Sequence, residues 1–212
     1  MKKFELTSEF VTFLGKTLFR IKALVSFGDV AEGELGGFIE RENNLDQSGD
    51  AWVYGDARVY GDAQVSGNAQ VSGNAQVSGD ARVYGDAQVY GDAQVYGDAW
   101  VCGDARVYGD AWVCGDARVY GDARVYGDAW VCGDAWVQNC RDYSATSCFG
   151  SENRTTTFFR TKDGGISVRC GCFYGTLREF REKVKERHGD SRLAKEYLML
   201  ADLMEFRLSK DE

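Results

Sequence analysis

The sequence predicts an all-β solenoid, a parallel β-helix of about five 18-residue coils, with a small α+β domain following it. Three observations lead there. Fifteen copies of one six-residue unit, Gly-Asp/Asn-Ala-X-Val-X, run without interruption from Gly49 to Gln138, 90 of the 212 residues. Within each unit Ala and Val stand two apart, so both side chains point to one side of an extended strand and the X residues to the other. Each unit also carries a Gly, which permits the positive φ or close backbone approach that a corner needs.

Residues 1–48 form an N-terminal β cap. Leu18 to Ala23 alternate in the manner of a strand, and turn signals follow at Gly28-Asp29 and Gly36-Gly37. An open solenoid end exposes unpaired backbone, so the expected job of this segment is to close that end.

Residues 49–138 form the solenoid. Trp, Arg, Gln, Tyr, Cys and Ser occupy the X slots and cannot all share a narrow interior, so Ala and Val are the inward pair. Three units per turn make a triangular coil. Five coils at roughly 4.8 Å give a rod of about 24 Å. The Asp or Asn after each Gly is expected to bond back to the corner amides as an Asx turn. Asn68 and Asn74 replace Asp without breaking the pattern, so the slot needs an acceptor more than a charge.

Residues 139–212 form a ββαα domain. Strands are expected at Thr155–Thr161 and Ile166–Phe173, joined by the turn Lys162-Asp163-Gly164-Gly165. Thr176 and Glu179 make a capping box that starts one helix. Asp190 or Ser191 starts a second, with Leu193, Tyr197, Leu200, Ala201 and Met204 as its apolar stripe.

The net charge of −8 belongs to the repeat, where 13 Asp face 5 Arg; residues 1–48 carry −2 and residues 139–212 carry +2. Such a surface argues against binding bare nucleic acid or anionic lipid. Duplex mimicry is weakly supported, because one charge per roughly 3 Å is about half the density of DNA and the Arg columns interrupt it. Calcium binding of the nonapeptide-repeat kind needs a different period. The start, MKKFELTSEF, has Glu5 and Glu9 where a signal peptide needs an apolar run, and no segment approaches the roughly 18 apolar residues of a membrane span. The expected location is the cytoplasm, with most of the seven cysteines as free thiols.

Residues 18 apart stack in columns, which writes out three outer faces. One carries Trp52, Gln70, Gln88, Arg106 and Arg124 beside Tyr54, Ser72, Tyr90, Tyr108 and Tyr126. A second carries Trp112 and Trp130 beside Tyr96, Cys114 and Cys132. The third carries Trp100, Arg118 and Trp136 beside Tyr84, Cys102 and Tyr120. Stacked aromatic ladders are ordinary dressing for parallel sheets. The reading favoured here is that Trp112, Trp130, Cys114 and Cys132 form an apolar patch that must be covered, by the C-terminal domain or by a second copy. Cys114 and Cys132 are near enough for a disulfide, although in the cytosol stacked free thiols are expected. Partner-binding candidates are Trp100, Trp112, Trp130, Trp136, Tyr96, Tyr108, Tyr120 and Tyr126.

The pattern resembles the hexapeptide-repeat left-handed parallel β-helix proteins. Leu18 to Ala57 resembles the entry segment, and Thr155 to Phe180 the C-terminal cap, of uncharacterised prophage-associated members. The left hand and a phage origin are what the resemblance implies, and a phage-encoded chain would act in the host cytoplasm. Known enzymes of the family, acyltransferases and carbonic anhydrases, use histidines as base or zinc ligands. Here the solenoid has no His, and His188, the one histidine, reads as a helix C-terminal residue beside Gly189. No catalytic residue or cofactor is therefore assigned. Cys170-Gly-Cys172 sits on what reads as one strand face with Ile166 and Val168, and the plain reading is two small buried hydrophobes. Cys140, Cys148, Cys170 and Cys172 are the remaining set able to hold zinc, though the spacing of the first pair is untypical. The function expected is non-catalytic binding of a protein partner through the aromatic faces and the C-terminal cap, with inhibition of a host defence system as one form. The alternatives are a self-assembling rod or homo-oligomer, and a transferase-like or small-ligand-binding oligomer.

Overall fold

The computed structural model describes residues 2–209; residues 1 and 210–212, counted in the terminal segments above, lie outside it. The repeat folds as fifteen two-residue parallel strands, from β4 (Trp52–Val53) to β18 (Trp136–Val137). Every third strand pairs, as in Gln70–Val71 beside Gln88–Val89 beside Arg106–Val107, so the register between coils is the expected 18 residues. Two backbone bonds hold each unit to the next coil, and from Asn68 to Asp92 the amide of the Asp or Asn adds a third. Gln88 N–H donates to Ala105 O at 2.9 Å, Tyr90 N–H to Val107 O at 2.9 Å and Asp92 N–H to Gly109 O at 3.0 Å. Every Ala and Val of the repeat is buried, at 0–1 % exposure. Burying a Val contributes roughly 1.5–3 kcal/mol, repeated evenly along the rod.

Two expectations about the rod are corrected. The solenoid has about six coils, because the segment before the repeat supplies another. In β3 (Leu35–Ile39), Phe38 and Ile39 pair in parallel with Arg58 and Val59, and Leu45 bridges Val65. The offset is 20 residues on both sides of the 3-10 turn Glu42–Asn44, so the two extra residues lie after Leu45 and before Trp52, where the offset becomes 18. At the turn, side chains supplement the backbone bonds of this coil. Asn44 Nδ2 donates to Gly61 O and Ala63 O at 3.0 and 2.9 Å, and the Glu40 carboxylate accepts from Gly61 N–H at 2.7 Å. Burial raises the pKa of Glu40, but the bonds from Lys16 and Gly61 outweigh it and hold the carboxyl below its ordinary value.

The corners do not use Asx turns. Their bonds run backbone to backbone, and the repeat's Asp side chains accept no backbone amide among the described residues. The two Asn instead donate to the carboxylate one coil on, Asn68 to Asp86 and Asn74 to Asp92, both at 3.0 Å. An Asn between stacked carboxylates is therefore a donor that relieves like-charge repulsion, and not merely another acceptor.

β1 (Phe4–Phe13) and β2 (Lys16–Ala23) form an antiparallel hairpin that extends one solenoid face into an eight-stranded sheet. The same segment buries Trp52 completely, with the rings of Phe4 and Phe27 meeting it edge-on at 6.2 and 5.4 Å. Trp52 belongs to an outward column by sequence. The N-terminal segment makes it core.

The C-terminal domain has four strands where two were expected. β19 (Tyr143–Phe149), β20 (Arg154–Arg160), β21 (Ile166–Cys170) and β22 (Phe173–Thr176) form an antiparallel meander. Ile166–Phe173 is not one strand. Gly171, at φ 57°, turns the chain so that Cys170 pairs with Phe173 across a two-residue hairpin loop. Cys170 and Cys172 therefore do not alternate along a single strand face.

Helix α1 (Leu177–His188) begins at the expected capping box, and α2 (Arg192–Leu208) begins at Ser191. The buried stripe of α2 is Ala194, Tyr197, Leu200, Ala201, Met204 and Leu208; Leu193 is only half-buried. No helix of the described residues is long and apolar enough to cross a membrane.

Candidate functional site

The columns place the candidate aromatic residues on three different faces. On one, Trp112 and Trp130 stack in parallel with centroids 4.5 Å apart, and Tyr96 meets Trp112 edge-on at 6.0 Å. Cys114 and Cys132 are disulfide-bonded beside them, with Cα atoms 4.5 Å apart. That corrects the expectation of free thiols, and adjacency of coils is the physical reason. Five cysteines remain free.

The C-terminal domain comes down on Trp130. Thr157 Oγ1 accepts from the Trp130 backbone N–H at 3.0 Å, and the Arg169 guanidinium lies 4.7 Å from the Trp130 ring. The cover for this patch is thus supplied in part from within the chain. Trp112 and Trp130 are half-buried, with neighbours from the coils and the domain.

On a second face, arginine and tryptophan alternate. Arg82 lies 5.4 Å from the Trp100 ring, and Arg118 lies 4.6 Å from Trp100 and 5.7 Å from Trp136. Tyr84 and Tyr120 close the pattern edge-on against Trp100 and Trp136. Each Trp here is engaged by a cation and a phenol and is half-buried.

The third face is a tyrosine stack. Tyr90, Tyr108 and Tyr126 lie nearly parallel with centroids 4.9 and 5.4 Å apart, and Tyr143 meets Tyr126 edge-on. Burial, then the neighbouring phenols Tyr90 and Tyr126, pushes the Tyr108 hydroxyl above its ordinary pKa. Of the eight candidates only Tyr126 is markedly exposed, at 53 %. It opens onto a groove of about 480 Å³ shared with Arg124, Tyr143 and Arg207.

Five stretches of the rod, residues 51–67, 75–91, 87–103, 99–115 and 117–133, match the family model described as the YdcK beta solenoid repeat. The chain is similar to that family. The similarity is confined to the repeat and bears on the fold of the rod. No curated protein matches the chain.

The zinc set does not assemble. Cys140 lines the tyrosine groove, while Cys170 and Cys172 line a hollow in the C-terminal domain, and no group of three or more His, Cys, Asp or Glu gathers among the described residues. His188 ends α1 as expected, with its ring 5.7 Å from that of Tyr197.

The most exposed apolar surface lies in the C-terminal cap, where the sequence reading expected binding but named no residue. Met199, Leu203 and Phe206 stand on the outer side of α2 at 72, 57 and 85 % exposure. Their spacing of four and three residues makes them neighbours along one helix face. The signal was present in the sequence: α2 is apolar on two sides, and one of them packs on β20 and α1. Only the packing reveals which side is left outside.

Proposed function

We propose that the protein is a non-catalytic β-solenoid scaffold that binds a protein partner through its C-terminal domain. The observation that carries this reading is the stripe Met199, Leu203 and Phe206, an apolar surface on a rigid, capped helix. Soluble chains leave such contiguous surface open chiefly where something docks. The exposed Tyr126 and Arg124 of the adjoining rod face add the residue types that dominate binding hot spots. The rod then acts as a stiff spacer that sets where the domain stands.

The finer role within this reading is that of a phage-encoded inhibitor of a host defence protein, acting in the cytoplasm. It rests on the resemblance of the flanks and on the acidic rod. Expression of the chain in a host carrying defence systems, scored by plaque counts, checks that role separately.

The docking reading is tested with Leu203→Glu/Phe206→Glu in the full chain. Both side chains are exposed, so the variant is expected to melt at the temperature of the wild type. A partner retained by the wild-type chain should be lost by the variant, with the solution mass of the isolated protein unchanged. Equal retention overturns the reading. A drop in the solution mass on mutation assigns the stripe to a second copy of the chain.

A further inference from the structure

A hollow of about 190 Å³ opens between α1, the β21–β22 turn and the loop before β20. It lies apart from the α2 stripe. Phe173, Phe180, Val184 and Tyr197 supply apolar walls, of which the last three are buried. Arg154 and Arg187 stand at the rim, both mostly exposed. A cavity of about 150 Å³ is enough to hold benzene, so this one takes a body of roughly one ring.

The charges at the rim do not balance. Arg154 Nη2 lies 3.1 Å and Arg187 Nη2 lies 3.9 Å from opposite oxygens of one carboxylate, Glu152. Lys183 is engaged elsewhere, with Glu186 at 2.8 Å. Two guanidinium groups thus share a single anion, and that anion sits on an exposed loop at the mouth of the hollow. Gly171 brings the turn backbone close to Arg154, where a Cβ would lie 3.1 Å from Nη1.

We propose that this hollow binds a small organic carboxylate with a compact apolar body, the body seated against Phe173, Phe180 and Val184 and the carboxylate taken by Arg154 and Arg187. Glu152 is the internal stand-in for the ligand anion. The planar fork of arginine suits a carboxylate better than a diffuse anion, because two parallel N–H donors meet two oxygens. A ligand of this size binds with a dissociation constant on the order of 1 mM.

The test is a titration of the isotope-labelled full chain followed through its amide resonances, with benzoate, benzyl alcohol and inorganic phosphate as separate probes. Benzoate should give saturable shifts at Gly171, Cys172 and Ser151. Arg154→Gln/Arg187→Gln, on exposed positions, should weaken it about tenfold or more, as loss of charge-assisted bonds requires. Val184→Phe should fill the hollow and abolish the shifts; should it fail to fold, the arginine variant still decides. Absence of saturable shifts with benzoate overturns the proposal. So does equal binding of benzyl alcohol, which would need no arginine, or of phosphate, which would need no apolar wall.

Discussion

The guanidinium of Arg118 lies between two tryptophans of neighbouring coils, 4.6 Å from the ring of Trp100 and 5.7 Å from that of Trp136. Both tryptophans are its ladder partners 18 residues to either side, and the side-chain contacts add to the backbone pairing. At exposed sites each cation–π contact contributes about 0.5–1 kcal/mol. Arg118→Ala is therefore expected to lower stability by about 1 kcal/mol in denaturant unfolding and to shift tryptophan emission to the red. Unchanged emission would show that the two rings do not depend on Arg118 for their packing.

Corner glycines should differ in their tolerance of a side chain. Gly91 has φ 75°, and a Cβ there would lie 3.0 Å from Gly109 N in the next coil, whereas Gly127, at φ 65°, has nothing within 4 Å. Gly127→Ala meets only the left-handed backbone cost of about 1 kcal/mol. Gly91→Ala adds the clash with rigid backbone and should cost about 3 kcal/mol. Thermal melts of the two variants side by side check the order.

Arg160 holds the end of the rod to the C-terminal end of α2. Its guanidinium pairs with the buried Asp142 at 3.1 Å and donates to Leu208 O at 2.8 Å and Ser209 O at 3.1 Å. Asp142 in turn accepts from the amides of Gln138 and Asn139, which finish the last coil. Arg160→Met leaves a buried carboxylate without its cation and should cost about 3 kcal/mol. Amide exchange should speed up in α2 and in the last coil, and stay slow in the middle of the rod. Uniform acceleration would argue that Arg160 has no special place at the junction.

The Cys114–Cys132 disulfide closes a loop of 18 residues. Loops of this length gain about 3 kcal/mol from the constraint on the unfolded chain. Thiol titration of the unfolded, unreduced protein should find five free groups out of seven. Reduction, or Cys114→Ser/Cys132→Ser, should lower the melting temperature. The bond is also at odds with a reducing compartment, so its state in cell extract bears on where the chain works.

Tyrosines set the alkaline limit of stability. Burial raises Tyr54, Tyr96, Tyr108, Tyr120, Tyr143 and Tyr174 above the ordinary 10.0, while a bond to Cys102, then burial, takes Tyr84 to about 12. In the unfolded chain these phenols ionise near pH 10. Because their folded values are higher, the folded state holds more protons above that pH, and stability present below pH 10 is lost as pH rises through the folded values. Spectrophotometric titration at alkaline pH should therefore show most tyrosines ionising together with unfolding. Smooth ionisation near pH 10 with the fold intact would contradict this.

The sequence alone determined the rod: a period of six with Ala and Val two apart admits one inward pair, one corner and a register of three units, and the strand pairing follows it through all fifteen copies. It also marked both helix starts, because Thr176, Glu179 and Ser191 act within one turn of their own backbone. What it left open depends on segments far apart in the chain. The sixth coil has no Gly-Asp-Ala signature, and side chains of Asn44 and Glu40 add to its backbone bonds. The fate of each outward residue was likewise decided in three dimensions. Trp52 vanished under Phe4 and Phe27, Trp130 stayed half-buried beside Arg169, and Trp100 lies between Arg82 and Arg118. Met199, Leu203 and Phe206 stayed bare because α2 had already spent its other side on the core. Periodicity sets which side of an element a residue points to, and only packing sets what, if anything, it meets there.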